Sequence, residues 1–364
     1  MSVSYMPQVL DKNFKELGVC DTCQSLIWTD RYFKIGEFEM TFIPTDPILE
    51  YLVDGNYLVT DESEHFMIIE QSELTTDAAT GKDLMVVSGR SGESITNRRI
   101  IWGQETFNDT ELEIIKALIN KQIISPTDPD RKIANFLFTN LLPESYAKRA
   151  KIEAQFTGSE LDEAISTICE TASIGFKITL DDSYNFVFSP YVGEDRSYAQ
   201  DTNPHVVFSP SFENLKDSKY LKSSKTLRTV ALVGGEGEGN DRKYATVNPN
   251  TTYTGLNRRE LFVDARDISS TVDGGTLPDA QYMAQLTNRG NEKLADKENK
   301  MVQEISADLI STGNYEYGRD YFMGDIVQIA NQYGVETTAR VVEMIHTEDE
   351  TGITNIPSFT IIDK

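Results

Sequence analysis

The sequence is poor in the features that mark secreted, membrane-spanning and disulfide-stabilised proteins. Its 364 residues include only three cysteines, Cys20, Cys23 and Cys169. That number is too small for a disulfide framework in a chain of this length, and an odd number leaves at least one thiol free. The sequence has no run of about 18 apolar residues and no charged leader before an apolar core. We therefore expect a protein that folds in a reducing cytoplasm.

Positive charge is scarce as well. Only 34 Lys and Arg residues stand against 58 Asp and Glu residues, which gives a formal net charge of -24 and a pI near 4.5. The acidic excess is spread along the chain, and such a surface disfavours docking onto nucleic acid or an anionic membrane. Apolar residues make up 39% and aromatic residues 10% of the chain, which is enough for folded domains rather than a disordered acidic segment.

Catalytic signatures are missing too. The histidines His65, His205 and His346 form no H-E-x-x-H pair, and the sequence has no Gly-x-Ser-x-Gly elbow. Carboxylate pairs could be drawn almost anywhere among 58 acidic residues, so their presence does not indicate a glycoside hydrolase. A triad assembled from distant residues stays open on sequence grounds, although a histidine with a structural role is far commoner. We therefore predict a protein without catalytic residues.

Two short motifs favour structural roles over chemistry. Cys20-Asp-Thr-Cys23 is a C-x-x-C, but strand-like residues follow it where a redox site needs the start of a helix, and no second Cys or His pair completes a zinc site. The glycine-rich segment 234–239 carries Glu236 and Glu238, which would repel phosphate, and no helix is predicted after it. We expect core packing for the cysteines, a flexible connection at the glycines, and no bound metal or cofactor.

Hydrophobic periodicity predicts two β-rich ends with a mixed region between them. Phe38, Met40 and Phe42 alternate with polar residues, the pattern of a half-buried strand. Similar runs recur through the first hundred residues and again from residue 301 onward, separated by turn residues. In 108–200, two amphipathic helices and a hairpin are predicted.

The first of these helices has apolar residues at helical spacing from Leu112, behind a capping pair at 108–109. The second is predicted from Ser159, with Asp162 as its capping-box partner. The hairpin consists of two short strands that flank the polar turn 181–184.

These patterns predict a β-rich α+β protein in several units. We expect a first barrel-like β domain over 1–107, a mixed α/β middle domain over 108–200, a second barrel-like β domain over 201–240 and 301–364, and a partly helical insertion over 241–300. Within the insertion, residues 278–300 are predicted to form a polar, solvated helix. The large side chains expected to fill the first domain are Trp28, Tyr32, Phe33 and Phe38.

A series of segments, spread over about residues 26 to 345, has a familiar composition and order. They are Trp28-Thr-Asp-Arg-Tyr-Phe-Lys-Ile-Gly-Glu-Phe-Glu, Gly89-Arg-Ser-Gly-Glu-Ser-Ile with Arg98-Arg99, Tyr191-Val-Gly-Glu-Asp-Arg-Ser, Val207-Phe-Ser, Asn257-Arg-Arg-Glu-Leu-Phe-Val-Asp-Ala-Arg, and Tyr321-Phe-Met-Gly-Asp-Ile-Val before Arg340-Val-Val-Glu. Together they resemble a family of siphophage baseplate proteins, which is similar to the N-terminal hub region of tail-associated lysins and to the hub proteins of contractile phages.

The resemblance implies a structural subunit of the virion rather than an enzyme. It implies a homotrimer at the tail tip, in which two tail-tube-like barrels per chain form a pseudo-sixfold ring. The implied partners are a distal tail protein ring or the tail tube, a spike, fibre or receptor-binding protein, and the end of the tape measure protein. The subunit would be made in the host cytoplasm, and would take part in host attachment and in DNA ejection without binding DNA specifically.

Two pairs of arginines are the candidate contact residues. Arg98, Arg99, Arg258 and Arg259 present guanidinium groups in an acidic protein, suited to bidentate contacts with carboxylates of the same or a neighbouring subunit. We expect them at subunit interfaces, with substrate binding as the alternative. The alternatives for the whole protein are a peptidoglycan hydrolase of the tail tip that uses an acidic pair, and a receptor- or carbohydrate-binding tip protein that stacks sugars on Tyr and Trp.

Overall fold

Strands outnumber helices in this fold. The structure is a computed structural model that describes residues 5–77, 82–250, 253–272, 275–296, 299–309, 315–330 and 336–362. The strands are β1 (Gln8–Leu10), β2 (Glu16–Val19), β3 (Cys23–Arg31), β4 (Glu37–Phe42), β5 (Tyr57–Thr60), β6 (Ser63–Asp77), β7 (Lys82–Ser91), β8 (Gln104–Asp109), β9 (Phe136–Phe138), β10 (Ile152–Thr157), β11 (Gly175–Leu180), β12 (Phe186–Tyr191), β13 (Val207–Phe208), β14 (Leu215–Ser223), β15 (Val230–Gly234), β16 (Tyr244–Val247), β17 (Glu260–Asp264), β18 (Thr271–Val272), β19 (Gly275–Thr276), β20 (Val302–Leu309), β21 (Ile326–Ala330), β22 (Glu336–Asp349) and β23 (Gly352–Ile361). The α-helices are α1 (Asp46–Tyr51), α2 (Ser94–Asn97), α3 (Glu111–Ile119), α4 (Glu144–Ala147), α5 (Leu161–Ala172) and α6 (Asp279–Ala295).

One large sheet joins the two ends of the chain. Its strands follow the order β14-β20-β23-β22-β3-β4-β7-β6-β5-β1-β2, and β21 pairs with both β22 and β13. The connection between the ends is the antiparallel pair β3 and β22, in which Trp28 lies opposite His346 and Thr29 opposite Ile345. The β-rich α+β class is therefore confirmed.

The two barrel-like domains do not appear as closed barrels. Pairings among the described strands form an open path, because β3 gives one edge to β4 and the other to β22. The first domain thus shares its sheet with the last strands of the chain instead of closing a ring within 1–107. The domain boundaries themselves stay a prediction.

Alternating side chains on β4 build the core of the N-terminal part as the sequence predicts. The buried members are Phe38, Met40 and Phe42. Trp28 packs beside Phe38 in the same core, with their ring centroids 6.2 Å apart. Tyr32 and Phe33 lie outside this core. Both rings belong to a second core, which combines residues of the N-terminal part, such as Phe66, with residues of the middle and C-terminal parts of the chain.

The middle of the chain contains both predicted helices and the predicted hairpin. The cap of α3 is Thr110 rather than the pair at 108–109, and its hydroxyl accepts a hydrogen bond from the Glu113 N–H at 3.4 Å. The capping box expected at Ser159 was wrong, because α5 begins at Leu161 and the Ser159 carbonyl instead accepts from the Ile101 N–H at 2.8 Å. The hairpin is confirmed as β11 and β12.

A small α/β unit lies between β14 and β20, which pair antiparallel. Its central strand β15 has β16 antiparallel on one side and β17 parallel on the other, and α6 packs on this sheet through Tyr282 and Leu286. The glycine-rich segment is not a loose connection. The Tyr282 hydroxyl accepts from the Glu236 N–H at 2.6 Å and donates to the Ile268 carbonyl at 3.2 Å, so α6 holds the segment in place.

Candidate functional site

Four segments of the recognisable series meet where the N-terminal, middle and C-terminal parts of the chain come together. They lie at 28–39, 89–95, 191–197 and 321–327. We call this meeting place the junction and define it by the side chains of Tyr32, His65, Glu93, Arg196 and Asp325. All five are almost completely buried.

Tyr32 is the aromatic centre of the junction. Its ring packs edge-on against Tyr191, with centroids 5.3 Å apart, and the guanidinium of Arg340 lies 5.3 Å from its centre. Two glycines make room for it: a Cβ atom would stand 2.1 Å from the ring at Gly175 and 2.4 Å at Gly324. Burial raises the pKa of the Tyr32 hydroxyl to about 12. The ring therefore fits between three parts of the chain without any freedom to move aside.

An ion pair ties the middle of the chain to the C-terminal part. The Asp325 carboxylate accepts hydrogen bonds from Arg196 Nε and the Glu194 N–H, both at 2.7 Å. Burial raises the pKa of Asp325, although these hydrogen bonds oppose the shift. The backbones of the two segments also pair, since the Arg196 N–H donates to the Ile326 carbonyl at 2.7 Å. Gly193 permits this approach, because a Cβ there would lie 2.2 Å from Gly324.

A second buried ion pair ties the N-terminal sheet to the middle of the chain. His65 Nδ1 lies 2.8 Å from the Glu93 carboxylate, which also accepts from the Ile178 N–H at 2.7 Å. Burial alone would lower the pKa of His65, but the carboxylates of Glu93 and Asp30 raise it to about 9. The same contact lowers the pKa of Glu93 against the effect of burial. At neutral pH, His65 is therefore a cation and Glu93 an anion.

A cavity of about 620 Å³ opens beside the junction. Carboxylates dominate its wall, including Asp61, Glu62 and Glu64, with Lys177 and Arg319 as counter-charges. Among the residues that the structure describes, no group of three or more His, Cys, Asp or Glu side chains is placed to hold a metal ion.

The sequence favoured packing roles for Cys20, Cys23 and His346, and their surroundings agree with such roles. Burial raises the pKa of Cys20 to about 12 and that of Cys23 to about 11, so both thiols are protonated at neutral pH. His346 stacks on Tyr5, with centroids 3.7 Å apart, and its Nδ1 lies 2.7 Å from Asn355 Oδ1. These contacts give the cysteines and His346 packing roles.

The predicted interface arginines lie in two separate places and have partners within the chain. Arg98 lies 3.7 Å from the Glu70 carboxylate, and Arg258 donates to Glu260 at 2.6 Å. Arg99 and Arg259 donate mainly to backbone carbonyls, of Arg131 and of Ser224 respectively. Their role at subunit interfaces stays a prediction.

Sequence reasoning missed two members of the group around Arg99. The guanidinium of Arg131 lies 5.2 Å from the ring of Trp102, whose side chain is 68% exposed. Burial and the charges of Arg131 and Arg98 lower the pKa of Arg99. We call Arg98, Arg99, Trp102 and Arg131 the arginine patch. No local motif connects Trp102 with Arg131, which is why the sequence did not show the patch.

Several solved structures of tail proteins have a fold similar to that of this chain. A tail protein from Neisseria meningitidis MC58 is 14% identical, with 99% of this chain and 97% of that chain covered at a TM-score of 0.59. The 43 kDa tail protein of prophage MuSo2 from Shewanella oneidensis is 11% identical, with 98% of each chain covered and a TM-score of 0.57. Prophage tail protein gp18 from Listeria monocytogenes EGD-e is 12% identical, with 99% of this chain and 95% of that chain covered at a TM-score of 0.54. At these identities the likeness establishes the fold.

The search among curated proteins gave no match. None of the described helices is both long enough and apolar enough to cross a membrane. The family described as Siphovirus ReqiPepy6 Gp37-like protein matches residues 6–359, nearly the whole chain. This match confirms the resemblance to siphophage tail proteins, and the chain therefore belongs to the Siphovirus ReqiPepy6 Gp37-like protein family.

Proposed function

We propose that the chain is the hub of a siphophage tail tip, a structural subunit that closes the tail tube and connects it to the host-attachment apparatus. The observation that carries this proposal is the correspondence of the fold, over nearly its whole length, with three tail proteins, two of which are described as prophage proteins. Membership of a siphovirus family supports it. The shared sheet supports it too, because β3 and β22 join the two β-rich ends into one platform.

In this proposal the hub is a homotrimer in the virion, assembled in the host cytoplasm. Two β-rich ends per chain would place six β-rich units around a threefold axis, which matches a sixfold tube on one side to a threefold tip on the other. Its partners are the distal tail ring or tail tube, a spike, fibre or receptor-binding protein, and the end of the tape measure protein.

The acidity of the chain suits a channel for DNA. A net charge of -24 repels phosphate, and a protein that neutralises no phosphates has no counterion release to drive binding. Genomic DNA can then pass during ejection without adhering to the wall. A trimer whose inner wall proved neutral or basic would contradict this part of the proposal.

The arginine patch is the proposed subunit contact, with Arg258 and Arg259 as a second candidate. Arg and Trp side chains dominate the energetics of protein interfaces. In a chain this acidic, carboxylates of a second copy are abundant partners for Arg98, Arg99 and Arg131. The exposed ring of Trp102 supplies the apolar area that a charged contact lacks.

We expect light scattering to give three times the 40.9 kDa protomer mass, either for the chain alone or after its ring partner is added. Replacing Trp102 and Arg131 by Ala should weaken association at least about tenfold, because truncated interface anchors typically cost more than about 1 kcal/mol. Arg149→Ala is the matched control, since Arg149 lies 3.8 Å from the ring of Tyr146 in an equivalent pair elsewhere.

Two results would contradict these proposals. Equal mass distributions for the patch variant and the wild type would remove the patch from the interface. A chain that stays a monomer with every tail component, and that clears purified cell wall in a zymogram, would replace the hub proposal with the hydrolase.

A further inference from the structure

A second cavity, of about 280 Å³, lies between the middle of the chain and the small α/β unit. One wall is formed by β8 and β10, and the other by one face of α6. The residues of α6 on this wall include Gln281, Gln285 and Asn288, at positions that share one face of a helix. The opposite face, with Tyr282 and Leu286, packs into the core of the small unit. The polar face of α6 is therefore turned toward another part of the protein.

Amide groups are unusually dense in this cavity. Asn108 and Gln155 add to the three amides of α6. Both polar atoms of the Gln155 amide, and the Oε1 atom of Gln285, are enclosed and have no hydrogen-bond partner among the residues that the structure describes. An enclosed amide without a partner is unfavourable by about 1–3 kcal/mol. A ligand that supplies both donors and acceptors would remove this cost.

The charges of the wall argue against an anion. Glu153 and Glu292 face the cavity with one cation, Arg289. The Arg289 guanidinium is already engaged, at 3.0 Å from Asp267 and 3.7 Å from Glu292. The remaining hydrogen-bonding capacity is therefore mostly that of neutral amides, which both donate and accept.

The size of the cavity and the side chains on its strand face restrict the ligand further. Water occupies about 30 Å³ per molecule in the liquid, so the cavity exceeds the volume of a single bound water several times. Thr106, Asn108 and Gln155 share the cavity face of β8 and β10, whereas the rings of Phe107 and Phe156 pack together on the opposite face, with centroids 6.3 Å apart. Neutral amides that both donate and accept match a molecule with hydroxyl groups along its edge.

We infer that this cavity binds a neutral polyhydroxylated ligand of about the size of one saccharide unit. Gln155 and Gln285 donate to and accept from its hydroxyl groups. The inference does not depend on the hub proposal, because it rests on the cavity alone. A monosaccharide held by a few neutral hydrogen bonds has a dissociation constant on the order of 1–10 mM.

The test is saturation-transfer NMR on the full chain, with D-glucose, N-acetyl-D-glucosamine, a tetramer of N-acetyl-D-glucosamine, and acetate as separate probes. We expect saturation transfer to at least one sugar at about 20 mM, above the expected dissociation constant, and none to acetate. A signal from the tetramer but not the single sugars would assign the site to an internal unit of a glycan. A signal from the single sugars would assign it to a free sugar or a chain end.

Two variants test whether the saturation-transfer signal comes from a sugar bound in the cavity. Gln155→Leu should weaken binding at least about tenfold, because two hydrogen bonds are lost. Gln285→Glu keeps the shape of the side chain, so it tests the site even if the first variant does not fold. It should also weaken binding, because the substitution removes an N–H donor. Gln71→Leu, at an exposed position of β6, is the control and should bind like the wild type. No transfer to any sugar, equal transfer to acetate, or full binding by both variants would overturn the inference.

Discussion

His65→Leu should lower the free energy of unfolding by about 3–5 kcal/mol at pH 7, the usual cost of removing one partner of a buried ion pair. The substitution leaves the Glu93 carboxylate, which is 0% exposed, without its cation. His65→Leu combined with Glu93→Gln should recover part of the loss, because the unpaired Glu93 charge is removed and the amide oxygen of the new side chain can still accept from the Ile178 N–H. His205→Leu is the control, and should change stability by less than about 0.5 kcal/mol because His205 is exposed.

The same pair predicts how wild-type stability depends on pH. The pKa of His65 is raised from 6.5 to about 9 in the folded protein, so its contribution is complete below pH 6.5 and is lost as the pH rises through about 9. At about 1.4 kcal/mol per pH unit the contribution is on the order of 3 kcal/mol. The pKa of Glu93 is lowered below 4.5, so its contribution is lost in acid. Urea unfolding at several pH values measures both effects, and an identical alkaline profile for wild type and His65→Leu would contradict the ion pair.

Gly175→Ala should destabilise the protein by about 1–3 kcal/mol or more, because the new methyl group would stand 2.1 Å from the Tyr32 ring in a closely packed core. Tyr32→Ala should cost about 3–5 kcal/mol, the usual loss for a large buried aromatic. The informative result is the double variant. With the ring removed, Gly175→Ala should add little further loss, which gives a coupling energy of about 1 kcal/mol or more between two positions far apart in sequence.

Tyr32→Phe serves as the control for this cycle. It keeps the ring and removes only the hydroxyl, whose hydrogen bonds to the carbonyls of Ser173 and Tyr191 are both long, at 3.3 Å. Its loss should be about 1 kcal/mol, and Gly175→Ala should remain costly in its presence. Strictly additive losses in the Tyr32→Ala background would show that Gly175 and Tyr32 are not in contact.

Local patterns in the sequence predicted the elements but not the contacts that join them. Alternation along β4, the apolar spacing of α3 and the polar turn between β11 and β12 each lie within a few residues, and all three predictions are confirmed. Capping was less reliable. Ser159 has the right residue type for a cap, but a tertiary hydrogen bond to the Ile101 N–H holds it outside α5.

The junction could not be predicted from periodicity, because its contacts connect distant positions. His65 and Glu93 are 28 residues apart, and Arg196 and Asp325 are 129 apart. No local pattern encodes which sheet edge a strand joins, so the sequence did not show that β3 pairs with β22 and that the two β-rich ends share one sheet. The recognisable segments did carry a signal of the junction, since four of them meet there, but their order along the chain does not show that they touch.

Three glycines illustrate the same limit. In the structure Gly175, Gly193 and Gly324 each give room to another part of the chain, a role that the sequence analysis did not predict. A small residue that permits a close approach cannot be told from one that permits a turn until the approaching atoms are known.

The most direct test of the hub proposal is cryo-electron microscopy of intact particles of the phage that encodes this chain. The proposal predicts three copies around the axis at the tip of the tail tube, below the last sixfold ring, with the arginine patch between adjacent copies. Particles that lack the chain, or that hold it in sixfold rings along the tube or in side fibres away from the axis, would contradict the central claim.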